Sequence, residues 1–188
     1  MPTDADIVNQ ALQMVGDNQP AVEGTSPTFD NSTAGIAAQE LYVPTVRTVG
    51  RLFEWDMARN TVALVLSGNT APFPWALEYL YPTNGIEVWQ VMPPTLADPY
   101  NPLPINWVTA NTLVTGTQRK VIQTDLASAV AVYNNNPGPD VWDPLFTEAV
   151  VRLLASKFAQ AVAGKPQTAA DLLESFNAFV GAAKTRES

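Results

Sequence analysis

The residues of this chain that could do chemistry are chiefly carboxylates. His and Cys are absent, which removes the commonest general base, the strongest side-chain nucleophile, disulfides and every Cys/His zinc site. Glu54 and Asp56 flank Trp55, and Asp140 and Asp143 flank Val141-Trp142. Paired acids can serve glycoside hydrolysis. A structural use fits them better. Asp143 followed by Pro144 reads as a helix cap with proline at the first helical position, and Glu54 and Asp56 fall at a helix end on a polar face. The lysines that could assist a serine are Lys120, Lys157, Lys165 and Lys184, and no Ser-x-x-Lys spacing leads to any of them. Gly164-Lys165 resembles the end of a phosphate loop, but Pro166 follows and the upstream glycine is missing. Asp30 to Gly35 lacks the third acid and the distal Glu of a calcium loop. Asn31-Ser32-Thr33 fits a glycosylation acceptor. Helix capping accounts for both. The expectation is no enzyme, no catalytic residue, no cofactor and no metal.

Five tryptophans, Trp55, Trp75, Trp89, Trp107 and Trp142, could form a stacking platform for bases or sugars. Nucleic-acid platforms interleave aromatics with basic residues. Here no Lys or Arg falls between Arg59 and Arg119, so packing in core and interface is the preferred reading. The net charge is −8, with eleven Asp/Glu and three Lys/Arg in residues 1–100 and seven of each in 101–188. That bias argues against a DNA-gripping surface, which needs cations to displace counterions from phosphate. It allows a surface that DNA slides past. Charged residues are only 15% of the chain, against about a quarter in a typical domain. So little solvating surface suggests apolar surface shared with other subunits. No apolar run of about 18 residues could span a membrane. Met1 to Asp6 lacks the order of a secretory signal, so cytosol-like conditions are expected.

The elements follow from periodicity and breakers. Thr3 caps a first helix with Ile7, Val8, Ala11, Leu12 and Val15 on one face and Gly16 as its stop. After a polar loop, a second helix runs from Asp30 or Asn31 to about Phe53, with Pro44 kinking or splitting it. Residues 61–66 read as a short buried strand. Further strands follow, including a hairpin about the Thr-Gly-Thr turn at 115–117. Met92 to Pro104 is a proline-rich loop or arm. A third helix opens at Asp143-Pro144 with Leu145, Phe146, Ala149, Val150, Leu153, Leu154, Lys157 and Phe158 on one face. A fourth, capped by Thr168, carries Leu172, Leu173, Phe176, Phe179 and Val180, and a polar, frayed tail follows from Lys184. The expected fold is α+β and mainly helical: a four-helix bundle from both chain ends (1–59 and 140–188) with a small antiparallel β-rich insertion (60–139).

One ordered set of segments carries a resemblance. It runs from Ile7-Val8-Asn9-Gln10-Ala11-Leu12 to Val15-Gly16, then through a helix with Tyr42, Pro44, Arg47 and Arg51 into Phe53-Glu54-Trp55-Asp56. Val62-Ala63-Leu64, Pro74-Trp75-Ala76-Leu77-Glu78-Tyr79-Leu80-Tyr81-Pro82 and Trp142-Asp143-Pro144-Leu145-Phe146 follow. In this order the chain resembles the head-to-tail adaptor proteins of tailed bacteriophages, the tail tubular protein A family. It departs from the family where members often have Ala in place of Glu78, in the segment Met92 to Pro104, and in its short tail after Lys184.

The resemblance implies a dodecameric ring of this chain beneath the portal protein, at the head-tail junction of a virion assembled in the host cytoplasm. The ring would extend the DNA channel, help retain the packaged genome and dock tail or nozzle proteins. Helices would build the ring wall, and the β insertion would face the tail. DNA would pass without sequence-specific binding. On this reading Arg47 and Arg51 are candidates for bridging ring neighbours, and Lys184 and Arg186 for meeting an acidic portal surface. Intrachain pairing and a solvated tail are the plainer uses of the same residues. The rival readings are a carbohydrate- or peptide-binding virion module using the Trp-rich β region, and a small hydrolase using Glu54 and Asp56.

Overall fold

The computed structural model describes residues 2–16, 21–52, 54–95 and 105–186, the last four by backbone only. The chain is α+β, with four helices and three small antiparallel sheets. It divides into two compact units. One comprises Met1–Met57 and Pro137–Ser188, the other Ala58–Asn136.

In the helical unit, α1 (Asp4–Val15) begins in a capping box: the Thr3 hydroxyl accepts from the Asp6 N–H, and the Asp6 carboxylate accepts from the Thr3 N–H. Its buried stripe is Ile7, Val8, Ala11, Leu12 and Val15, and Gly16 ends it in the left-handed region at φ 65°. A two-residue hairpin follows, β1 (Gly24–Thr25) with β2 (Thr28–Phe29). Asp30 braces its exit, accepting from the N–H groups of Glu23 and Ser32. Ser32 then caps α2 (Thr33–Gly50) through the Gly35 N–H. Gly35 has no room for a side chain, because a Cβ there would collide with the Asp30 carbonyl.

The sequence predicts a kink or break at Pro44; the break does not occur, since α2 runs through Pro44 as one helix. The Glu40 carbonyl that Pro44 leaves without a donor lies on the exposed face, where water can serve it. Past Gly50 the chain turns, and the Trp55 indole, itself buried, donates to the Val49 carbonyl at 3.0 Å.

Asp143 caps α3 (Pro144–Ala161), accepting from the Leu145 N–H at 2.7 Å with Pro144 at the helix start. Gly164, at φ 61°, separates α3 from α4 (Pro166–Arg186). The helix begins before Thr168, the expected cap, and its backbone continues to Arg186, within the tail expected to fray from Lys184; residues 187–188 lie outside the described residues.

The expected four-helix bundle does not form. In a bundle each helix touches two neighbours, whereas here the substantial helix contacts are α1 with α3, α2 with α3, and α3 with α4. The reason lies in α3. Its buried residues include the consecutive runs Ala149-Val150-Val151 and Leu153-Leu154-Ala155-Ser156, which wrap most of the helix circumference. The single apolar stripe expected of it is too narrow. A central helix that is apolar on several sides is covered on several sides, and its neighbours need not touch one another. Lys157, expected on the apolar face, is half-buried and donates through Nζ to the Thr45 hydroxyl of α2 at 2.8 Å. Burial pulls its ammonium pKa down.

A line of aromatic rings joins the two chain segments of this unit. Phe29 meets Tyr42 edge-on at 5.6 Å between centroids, and Tyr42 stacks on Trp142 at 6.5 Å. Trp142 meets Phe146 edge-on at 4.8 Å, and Phe146 meets Trp55 at 4.9 Å. The Tyr42 hydroxyl donates to Asp4 at 2.6 Å. Burial, and then that carboxylate, push the Tyr42 phenol well above its ordinary pKa.

In the β unit, β3 (Arg59–Ala63) pairs with β8 (Val130–Asn134), which pairs with β5 (Glu87–Met92). A second sheet has the order β4 (Leu77–Leu80), β7 (Thr117–Thr124), β6 (Trp107–Val114). All pairings are antiparallel. The two sheets share a core of Tyr79, Val88, Val91, Ile122, Ala129 and Ala131. The segment after β3 passes from one sheet to the other: the Leu64 N–H donates to Ala129 O, and the Leu80 N–H donates to Val65 O. The β6–β7 turn sits at Thr115-Gly116 with both φ positive, 49° and 81°, as a two-residue hairpin requires.

The 61–66 run is not a buried strand. β3 stops at Ala63 and is an edge with one paired neighbour, and Val62, Val65 and Leu66 are exposed. Composition marked the run as apolar but could not say which of its sides would be covered. Of the proline-rich segment, residues 96–104 lie outside the described residues.

Phe146 touches both Trp142 and Trp55 and is 2% exposed. Phe146→Ala is expected to lower unfolding stability by about 3–5 kcal/mol, read as a shift of the urea midpoint at unchanged slope.

Candidate functional site

The exposed apolar surface concentrates on the β unit. Of eleven exposed large apolar residues among those described, six (Val62, Val65, Leu66, Phe73, Val108 and Leu113) belong to it. Charge is divided the other way. The helical unit carries fourteen Asp/Glu against seven Lys/Arg, and the β unit four against three. The acidic excess therefore belongs almost wholly to the helical unit.

Phe73 is the extreme case, 98% exposed. It sits in a turn closed by the Trp75 N–H donating to the Pro72 carbonyl at 3.0 Å, with a cis peptide between Phe73 and Pro74. The surrounding loop is pinned at both ends. At its far end the Ala76 N–H donates to Asp125 Oδ1 at 2.9 Å. At its near end the Ser67 N–H donates to the Glu78 carbonyl at 2.9 Å. The Glu78 side chain completes the attachment. Its Oε1 accepts from the Ser67 hydroxyl at 2.8 Å and from Asn69 Nδ2 at 3.1 Å, and its Oε2 accepts from Gln123 Nε2 at 2.9 Å. Asn69 Nδ2 also donates to the Leu113 carbonyl.

Glu78 is 3% exposed. Burial raises its pKa, but the bonds from Gln123, Ser67 and Asn69 more than offset this and hold it below the usual 4.5. A buried carboxylate satisfied by neutral donors thus ties the Phe73 loop to β4 and β7. Sequence reasoning noted Glu78 only as a departure from a family pattern. The signal that could have found it is an acid midway along an apolar strand, between Leu77 and Tyr79.

Two clefts open on this unit. One, of about 320 Å³, is lined by Val62, Leu64, Val65, Leu80, Tyr81 and Tyr133, among others. The Lys120 ammonium lies 4.0 Å from the centroid of the Tyr81 ring. The other, of about 530 Å³, is lined by Pro74, Trp75, Ile105, Asn106, Trp107, Val108 and Asp125.

The other predicted residues are dispersed. Arg47 and Arg51 are exposed at the C-terminal end of α2, where positive charge complements the helix dipole. Lys184 and Arg186 fall in the last turn of α4, and their side chains lie outside the described residues. Asp56 is exposed in a short 3-10 turn (Asp56–Ala58), Glu54 is half-buried, and Asp143 is engaged as a cap. The tryptophans separate into Trp55 and Trp142 in the helical unit and Trp75, Trp89 and Trp107 in the β unit, of which Trp75 and Trp107 share a cleft. Among the described residues no group of three or more Asp or Glu is gathered to hold a metal ion, and no helix is long and apolar enough to cross a membrane. No protein-family model matches the chain, and a search of curated proteins also gives no match.

Because the folded-state pKa of Glu78 lies below 4.5, its stabilisation is present above that pH and is lost as pH falls through the folded value. Glu78→Gln removes the carboxylate at every pH. The stability gap between wild type and variant should therefore be widest at neutral pH and narrow below pH 4.5, as read from urea unfolding across that range. A gap that ignores pH would refute the role of the charge.

Proposed function

We propose that this chain is a non-enzymatic virion subunit, a head-to-tail adaptor that assembles as a ring beneath a portal, extends the DNA channel and docks tail proteins. The observation that carries the reading is Phe73: an almost fully exposed phenylalanine on a loop held by hydrogen bonds to the buried Glu78 carboxylate. Such a residue gains only when another surface covers it, which is the situation of an assembly subunit. The separation of charge supports the same role. An acidic helical unit suits a channel wall that must not hold DNA, while a nearly neutral β unit suits contact with protein. The ordered set of segments from Ile7 to Phe146 supplies the adaptor resemblance.

A second reading has its own support. Trp75 and Trp107 line one cleft with Asn106 and Asp125, and aromatic faces beside polar groups are what a saccharide or peptide site would use.

The test is assembly on the portal of the same virus. Native mass spectrometry and electron microscopy should find several copies per portal, arranged as a ring below it. Lys184→Glu combined with Arg186→Glu should weaken that binding. A chain that ignores its portal at every concentration would end the adaptor reading. Quenching of tryptophan fluorescence by oligosaccharides, lost in Trp107→Ala, would favour the second reading.

A further inference from the structure

The β unit carries both halves of a contact. One half is a knob. Phe73 projects from a loop held at Ser67, Asn69 and Ala76, so its position is set before any partner arrives. Pre-organisation of this kind lowers the ordering cost of association. The other half is a hole, the cleft of about 320 Å³ lined by Val62, Leu64, Val65, Leu80, Tyr81 and Tyr133. A single water claims about 30 Å³ of liquid, so the cleft has room for an aromatic ring. Val65 (66%) and Val62 (37%) are exposed on its apolar side, and Thr83 and Asn84 give it a polar side.

The knob does not fill the hole of its own chain, since Phe73 is 98% exposed. We propose that Phe73 of one copy inserts into this cleft on the β unit of a second copy. The chain itself carries both an uncovered ring and an unfilled cleft, and charge permits a second copy to bring them together. The β unit has four acids against three bases, and one of those acids, Glu78, is buried. Two such units approach with little repulsion, whereas two helical units, each with twice as many acids as bases, repel. The knob and the hole are different surfaces, so the contact is heterologous. Each copy that receives a phenyl ring still presents its own, and the contact propagates until a rotation closes it into a ring. Closure rests on the adaptor reading above; the pairwise contact does not.

Phe73 and Val65 are both surface residues, so Phe73→Ala and Val65→Glu leave the core untouched. Sedimentation velocity of the full chain over rising concentration reads the contact. Wild type should associate progressively, and each variant alone should associate roughly 10- to 100-fold more weakly, the effect expected for one buried aromatic ring. The decisive measurement mixes the two variants. Phe73→Ala keeps the hole and Val65→Glu keeps the knob, so the mixture should form a discrete one-to-one pair that cannot grow. Three results would overturn the proposal: a wild type monomeric up to about 1 mM, a Phe73→Ala variant that associates like wild type, or a mixture with no one-to-one pair. Association of Val65→Glu alone as strong as that of wild type would point to knob meeting knob and overturn it too. A chain that passes these tests yet ignores the portal would support this contact and remove the adaptor role.

Discussion

The structure depends on two distant stretches of chain closing over one another. The segment from Phe29 to Trp55 and the segment from Trp142 to Phe146 are separated by the whole β unit, and the rings of Phe29, Tyr42, Trp142, Phe146 and Trp55 pack in one line between them. Edge-on and stacked aromatic pairs each add about 0.5–1.5 kcal/mol beyond their buried area. Polar ends are satisfied along the way: Tyr42 donates to Asp4, Trp55 to Val49 and Trp142 to Pro137. The same line brings Trp142 against α2 just before Asp143 caps α3, so the central helix starts where the two segments meet.

Insertion of the β unit is compatible with this because its ends are held together. Arg59 pairs with Asn134 at the base of β3 and β8, and the Asn135 N–H donates to the Ala58 carbonyl at 2.9 Å. A pair of antiparallel strands leaving and returning side by side imposes little separation on the segments it interrupts.

Within the β unit a different interaction organises the surface. The buried Glu78 carboxylate accepts from neutral donors, and the hydrogen bonds from Ser67, Asn69 and Gln123 replace the water it has lost. Two of those donors belong to the loop that carries Phe73. Burial of a polar group and exposure of an apolar one are therefore linked: the first fixes the geometry in which the second is presented.

Sequence by itself determined what depends on local spacing and on residue type. The Thr3 cap, the stripe from Ile7 to Val15, the Asp143-Pro144 helix start and the turn at Thr115-Gly116 are written in adjacent residues, because caps, stripes and two-residue turns are governed by neighbours. The acidic bias was legible in the same way. Sequence did not determine which sides of an element would be covered. That α3 is enclosed by three helices, that the 61–66 run leaves Val65 and Leu66 in the open, and that Pro44 lies on the exposed face of α2 all follow from packing between residues far apart in the chain. The pinning of Phe73 by Glu78 belongs to the same class, because burial is a property of the assembled neighbourhood and not of the residue that is buried.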